Sequence, residues 1–122
     1  MLLKNAKVLN GQFEFEAADI LIGGNLIERI GEVGRDDPQT FDLDGNYAVP
    51  GFIDIHTHGC AGADACDDAP ETMNKLSKRL AYHGVTTFAP ATMSLPHGEL
   101  CRVMGNIAKK AAKLSGARVA AI

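Results

Sequence analysis

The spacing of apolar residues changes near residue 49, and this change limits the folds that are open to the chain. Before it, short runs of alternating apolar and polar residues are separated by turn sequences such as Asn10-Gly11 and Asp44-Gly45. That pattern predicts strands joined into an antiparallel meander. After residue 49 the pattern predicts strand, helix, strand, helix and strand. This second order is typical of an α/β fold with a parallel sheet and right-handed crossovers.

The predicted elements are as follows. The first part should hold strands at residues 6–9, 13–16, 20–22, 26–30 and 40–43, with a loop at residues 35–38. The second part should hold strands at residues 52–57, 85–89 and 118–122. Asp68 and Glu71 should form a capping box for the first helix, which Gly84 ends. Ser94 should cap the second helix. One face of the first helix should be apolar and carry Met73, Leu76, Leu80 and His83.

The strand and helix order fits both a (β/α) barrel and an open doubly wound sheet. A (β/α)₈ barrel needs about 250 residues, whereas this chain has 122. The apolar strand at residues 118–122 is followed by nothing that would cover it, although parallel strands are normally buried on both faces. We therefore expect a truncated part of a longer protein. The alternative is a small domain with an unprotected terminal strand.

Composition excludes several classes of partner and location. A net charge of -3 at pH 7 predicts no nucleic-acid partner, and no apolar run approaches the ~20 residues of a membrane span. The early polar residues argue against a secretory signal, so three cysteines predict reduced thiols in the cytoplasm. Metal ligation by Cys60 and Cys66 is the alternative, but their spacing matches no common zinc pattern.

The segment Pro-Gly-Phe-Ile-Asp-Ile-His-Thr-His-Gly at residues 50–59 carries the chemistry. Because side chains alternate along a strand, Asp54, His56 and His58 should share one face. The two histidine Cα atoms should stand roughly 7 Å apart, so that both rings can reach one ion. We predict that His56 and His58 bind a divalent metal at the end of this strand. Imidazole ligands accept zinc, iron, cobalt or manganese.

Small residues follow the histidines. A backbone with small side chains can approach a ligand closely, so the candidates for substrate contact are Gly59, Cys60, Ala61 and Gly62. Asp54 is either a hydrogen-bonded partner behind a metal ligand or an interior acid.

The segment at residues 50–58 resembles the first barrel strand of the amidohydrolase superfamily, in which a His-x-His pair binds one or two divalent metals. The β-rich segment before it is similar to part of that superfamily's accessory β-sandwich. The sequences His-Gly-Cys-Ala-Gly-Ala-Asp at residues 58–64 and His-Gly-Val-Thr-Thr-Phe-Ala-Pro-Ala-Thr at residues 83–92 are similar to N-acetylglucosamine-6-phosphate deacetylases. The resemblance spans essentially the whole chain. It implies part of a small β-sandwich at residues 1–49 and the start of a (β/α)₈, TIM-like barrel at residues 50–122.

This resemblance implies metal-dependent hydrolysis of the acetamide of N-acetylglucosamine 6-phosphate to glucosamine 6-phosphate and acetate. The family's enzymes are often homodimers. Its general acid and its phosphate-binding groups match no residue here, so we expect no catalytic residue in this chain and no activity from it alone. The alternatives are another amidohydrolase, dihydroorotase-like or dipeptidase-like, and a non-catalytic β-rich module in which the histidines are structural.

Overall fold

A computed structural model describes residues 1–35 and 37–122. Asp36 belongs to the loop expected at residues 35–38 and lies outside the described residues. The chain divides into two compact units, Met1–Pro50 and Gly51–Ile122. In the described part of the first unit the strands are β1 (Leu2–Leu9), β2 (Phe15–Gly23), β3 (Leu26–Gly31), β4 (Thr40–Asp42) and β5 (Tyr47–Ala48).

The sheet of the first unit has the strand order β3-β2-β1-β4, and β5 also pairs with β1. β1, β2 and β3 are antiparallel neighbours, as expected. β4 and β5, however, run parallel to β1, so the prediction of a purely antiparallel meander is wrong. After β3 the chain returns to the free edge of β1, where Leu2 N donates to Gln39 O and Lys7 N to Asn46 O. Covering that edge satisfies backbone groups that would otherwise lack partners.

The hairpin predicted at Asn10-Gly11 is present, but its loop is wider than a two-residue turn. Asn10 Oδ1 accepts hydrogen bonds from Gln12 N at 3.0 Å and Glu14 N at 2.9 Å. Because this side chain organises the loop, the strand expected at residues 13–16 begins only at Phe15. Phe13 lies in the loop with a φ of 62°.

The second unit contains a parallel sheet and two helices. In chain order its elements are β6 (Phe52–Thr57), β7 (Gly59–Cys60), β8 (Ala63–Asp64), α1 (Thr72–Tyr82), β9 (Val85–Pro90), α2 (His97–Ala111) and β10 (Arg118–Val119). β6 and β10 both pair in parallel with the central strand β9. The predicted β-α-β-α-β order and the α/β class of this unit are confirmed. The sequence analysis missed the antiparallel β7–β8 hairpin.

Buried side chains from α1, α2 and β9 form the core of this unit. Phe88 on β9 is fully buried, as are Met73 and Leu76 on α1 and Ile107 on α2, each at no more than 1% exposure. Burying side chains of this size contributes about 1.5–3 kcal/mol each relative to leaving them exposed. This core holds the two helices against the central strand β9.

Both predicted helix starts are wrong. α1 begins at Thr72, and Glu71 stands at the cap position without a side-chain cap bond in the described chain. The Asp68 carboxylate instead accepts hydrogen bonds from Arg102 and Asn106 on α2. Long-range partners thus replace the local cap that the spacing predicts.

The second helix also departs from prediction. α2 begins at His97 with Pro96 at its cap position, and within the described residues no side chain caps it, Ser94 included. His83 is exposed at the end of α1 and does not join the apolar face.

Neither helix in residues 1–35 and 37–122 has the length and apolar character that a membrane crossing requires.

Candidate metal and substrate site

His56 and His58 lie at the carboxyl end of β6, and their rings are close together. The ring centroids are 5.0 Å apart and the ring planes are almost perpendicular. A metal–nitrogen bond of 2.0–2.1 Å places a ring centroid about 3.2 Å from the ion, so two rings bound to one ion stand about 4.5–5.2 Å apart. The observed separation therefore fits two imidazoles that share one ion.

The orientation of His58 is fixed by a carbonyl group at the end of the neighbouring strand. Its Nδ1 atom lies 3.0 Å from Ala91 O. A carbonyl oxygen only accepts, so Nδ1 carries a proton, and in the neutral ring the lone pair is then on Nε2. Histidine ligands of metals are typically held in this way. Ala91 is itself held in place, because its N–H donates to Thr57 O at 2.8 Å. The sequence analysis missed Ala91, whose only signal is its place after β9.

Two imidazoles supply two of the four ligands of a typical zinc site. Within the described parts of the chain, no group of three or more His, Cys, Asp and Glu side chains is arranged to hold a metal. Asp54 does not complete such a group; its Oδ1 accepts a hydrogen bond from His56 N at 3.1 Å. The described residues therefore do not supply a complete set of metal ligands.

The β7–β8 hairpin forms a cleft of about 400 Å³ beside His58. The lining residues are His58, Gly59, Cys60, Gly62, Ala63, Asp64 and Asp67. Three of the four candidate contact residues thus lie around the imidazole, while Ala61 occupies the turn with a φ of 56°. Gly59 permits the close approach of the two strands, because a Cβ there would overlap the Ala63 carbonyl oxygen.

Two aspartates hold the loop after this hairpin in shape. Asp64 Oδ1 accepts from Cys66 N at 2.8 Å, and Asp67 Oδ2 accepts from Asp64 N at 3.0 Å. Ala65 N donates to His58 O at 2.7 Å, which joins this loop to the end of β6. These hydrogen bonds give both aspartates a role in the shape of the loop.

Cys66 supports the loop as an uncharged thiol. Its Sγ accepts a hydrogen bond from Met93 N at 3.3 Å. Burial raises the pKa of the Cys66 thiol, and the neighbouring Asp64 also raises this pKa. A raised pKa disfavours the thiolate that metal binding needs. Among the residues that the structure describes, all three cysteines are free of disulfides.

Comparison with known proteins supports one enzyme family. No model of a known protein family matches the sequence. The chain is 35% identical over 69 residues to the N-acetylgalactosamine-6-phosphate deacetylase of Escherichia coli O157:H7, covering 57% of this chain and 18% of that protein. It is 40% identical over 58 residues to the N-acetylglucosamine-6-phosphate deacetylase of Bacillus subtilis, covering 48% of this chain and 15% of that protein. A dihydroorotase of Fusobacterium nucleatum is 36% identical over 98 residues, which are 80% of this chain and 21% of that protein. The sequence is thus similar to several amidohydrolases, each over part of its length.

Solved structures of amidohydrolases share the fold of this chain. The N-acetylglucosamine-6-phosphate deacetylase of Pasteurella multocida superposes with a TM-score of 0.79 at 20% identity, covering 95% of this chain and 31% of that one. The L-hydantoinase of Arthrobacter aurescens superposes with a TM-score of 0.70 at 18% identity, covering 98% of this chain and 26% of that one. At these identities the likeness concerns the fold.

The chain spans between 15 and 22% of the length of the curated amidohydrolases that it matches. Amidohydrolases generally use divalent metal ions. Among the described residues, the imidazoles of His56 and His58 have a separation that suits two ligands of such an ion.

Proposed function

We propose that the protein containing this chain is a metal-dependent deacetylase of an N-acetylated amino-sugar phosphate. The reaction is hydrolysis of the acetamide of N-acetylglucosamine 6-phosphate, which gives glucosamine 6-phosphate and acetate. The observation that carries the proposal is the pair of imidazoles 5.0 Å apart at the end of β6, beside a glycine-lined cleft. The similarity to two amino-sugar-phosphate deacetylases narrows the substrate class.

In this proposal His56 and His58 hold a divalent metal, which is zinc, iron, cobalt or manganese. When bound, such a metal polarises the amide carbonyl and lowers the pKa of a coordinated water. The hydrogen bond from His58 Nδ1 to Ala91 O keeps the ring in the orientation that leaves Nε2 free. The loop residues Gly59, Cys60 and Gly62 let the substrate approach the main chain. The general acid and the groups that bind the phosphate of the substrate lie outside this chain.

The proposal also assigns the architecture and setting of the whole protein. Residues 1–49 are part of an accessory β-sandwich, and residues 50–122 begin a (β/α)₈ barrel whose active site lies at the carboxyl ends of its strands. The enzyme is a cytoplasmic homodimer in which the cysteines stay reduced. Its partner is a small amino-sugar phosphate.

The test is acetate release from N-acetylglucosamine 6-phosphate by the full-length protein, with and without a strong chelator. We expect the chelator to abolish activity, and His56→Ala or His58→Ala to lower kcat/KM more than about 100-fold. His97→Ala is the matched control, because His97 is an exposed residue of α2 away from the cleft. Chelator-resistant release, or equal activity in all three variants, would contradict the proposal.

A second candidate is hydrolysis of a cyclic amide, as in dihydroorotases. The longer match, 98 residues against 69, favours it. The same preparation should therefore be assayed with dihydroorotate. Chelator-sensitive ring opening without acetate release would replace the deacetylase proposal and keep the metal site.

A further inference from the structure

A basic pocket in the second unit is separate from the histidine cleft. Its volume is about 290 Å³. Pro70, Asn74, Lys109, Lys110, Lys113 and Leu114 line it. No carboxylate belongs to this lining in the part of the chain that the structure describes. A water molecule takes about 30 Å³ in the liquid, so the pocket has room for a phosphate and part of the group that carries it.

The lysines near the end of α2 would ordinarily be explained by the negative end of the helix dipole. Lys110 has a structural role, since its Nζ lies 2.9 Å from Ala69 O and 3.1 Å from Asp68 O. Lys109 and Lys113 differ from it. Within the described residues neither has a carboxylate or carbonyl partner, so both ammonium groups can bind a ligand.

Besides the two free lysines, the pocket has a hydrogen-bond donor from Asn74. Its Oδ1 accepts from Ser115 N at 2.9 Å and from Ser115 Oγ at 3.0 Å. Both Ser115 groups donate, and the amide nitrogen of Asn74 cannot accept a hydrogen bond. The amide oxygen must therefore face Ser115. Nδ2 has no acceptor among the described residues. It is therefore the polar atom that Asn74 offers to the pocket.

Asn74 is the third residue of α1 and therefore lies in its first turn. Glu71 stands at the cap position of this helix, so a carboxylate already lies near the positive helix end. The binding groups of the pocket are therefore its side chains.

We propose that this pocket binds a phosphate group, either as inorganic phosphate or as a phosphate monoester. Lys109 and Lys113 supply charge, and Asn74 Nδ2 supplies a directed hydrogen bond. The site does not depend on the proposed deacetylase activity, since it shares no residue with the histidine cleft.

The test is a titration of the ¹⁵N-labelled chain with inorganic phosphate, and separately with methyl phosphate, at constant ionic strength. We expect a saturable shift of the Asn74 side-chain amide with a dissociation constant of the order of 1 mM. The probe with the lower dissociation constant shows whether the pocket prefers free phosphate or a phosphate ester. Absence of a saturable shift with either probe would overturn the proposal.

Variants separate a built site from general charge attraction. Asn74→Asp keeps the Oδ1 acceptor for both Ser115 donors but replaces the Nδ2 donor with a negative charge, so binding should be lost while the melting temperature is kept. Lys113→Gln should weaken binding about three- to tenfold, and Lys113→Arg should retain it. Lys78→Gln is the control, because it removes the same charge from an exposed position of α1 outside the pocket. Equal weakening by Lys78→Gln and Lys113→Gln would show charge screening only and refute the site.

Discussion

Gly59 joins the metal-site candidate His58 to the β7–β8 hairpin, and its lack of a side chain allows the two strands to meet. A Cβ at this position would overlap the Ala63 carbonyl oxygen and lie 2.8 Å from Asp64 Cα. Both neighbours are main-chain atoms, which cannot turn aside as a side chain would. The hairpin that lines the cleft therefore depends on this residue.

We predict that Gly59→Ala destabilises the chain by about 2 kcal/mol or more, because the main chain must move. Urea unfolding measures the change. Gly11→Ala is the control: its Cβ would meet nothing within 4 Å, so its effect should stay within about 0.5 kcal/mol. Equal stability of the two variants would show that the hairpin does not have this geometry.

Thiol reactivity tests the environment of Cys66. Burial raises the pKa of this thiol, so a smaller fraction is thiolate at a given pH. Cys101 is exposed on α2. In limited alkylation at pH 8 followed by mass spectrometry, we expect Cys101 to be labelled well before Cys66. Cys101→Ser should remove the fastest label, and early labelling of Cys66 in that variant would contradict the buried environment.

At the scale of elements, α1 is joined to the segment that leads into β10 through one buried serine. Ser77 Oγ donates to Ala117 O at 2.7 Å and accepts from Gly116 N at 3.1 Å. Ser77 is fully buried. Gly116 makes this approach possible, because a Cβ there would lie 2.5 Å from Ser77 O. The start of β10 is thereby fixed against the helix.

We expect Ser77→Ala to lower the free energy of unfolding by about 1–3 kcal/mol, since it leaves a donor and an acceptor without their partner in the interior. Thermal or urea unfolding measures this. Ser94→Ala is the control, because Ser94 is exposed and does not cap α2 in the described chain. An equal loss of unfolding free energy in Ser94→Ala would indicate that Ser94 does cap α2. It would also contradict the particular role assigned to Ser77.

At the scale of the whole molecule, the second unit leaves an apolar strand edge exposed. β6 has one neighbour, β9, among the described strands. Ile53 is 67% exposed and Ile55 is 81% exposed. An exposed apolar edge strand is a template for pairing with another chain. Prepared by itself, the 122-residue chain should therefore associate with copies of itself as its concentration rises.

The double variant Ile53→Thr/Ile55→Thr should reduce this association, because threonine keeps β propensity and removes apolar surface. Light scattering against concentration measures it. Met104→Gln, which changes an exposed apolar residue on α2, is the control and should have little effect. Equal reduction by both changes would point to general hydrophobicity and not to the β6 edge.

The sequence by itself determined the features that depend on neighbours in the chain. Alternation of apolar residues placed β6 at residues 52–57 and put His56 and His58 near its carboxyl end. Helical spacing identified Met73, Leu76 and Leu80 as core. Gly84 ends α1 with a φ of 81°, a conformation that glycine adopts without strain.

Only the tertiary structure decided the features that depend on distant partners. Asp68 binds residues of α2 in place of capping α1, and β4 and β5 return in parallel to β1. The carbonyl that orients His58 belongs to Ala91, which is 33 residues away. Local sequence spacing does not predict such pairs, because they form only when folding brings separate segments together. The buried backbone and polar groups of those segments must then find hydrogen-bond partners.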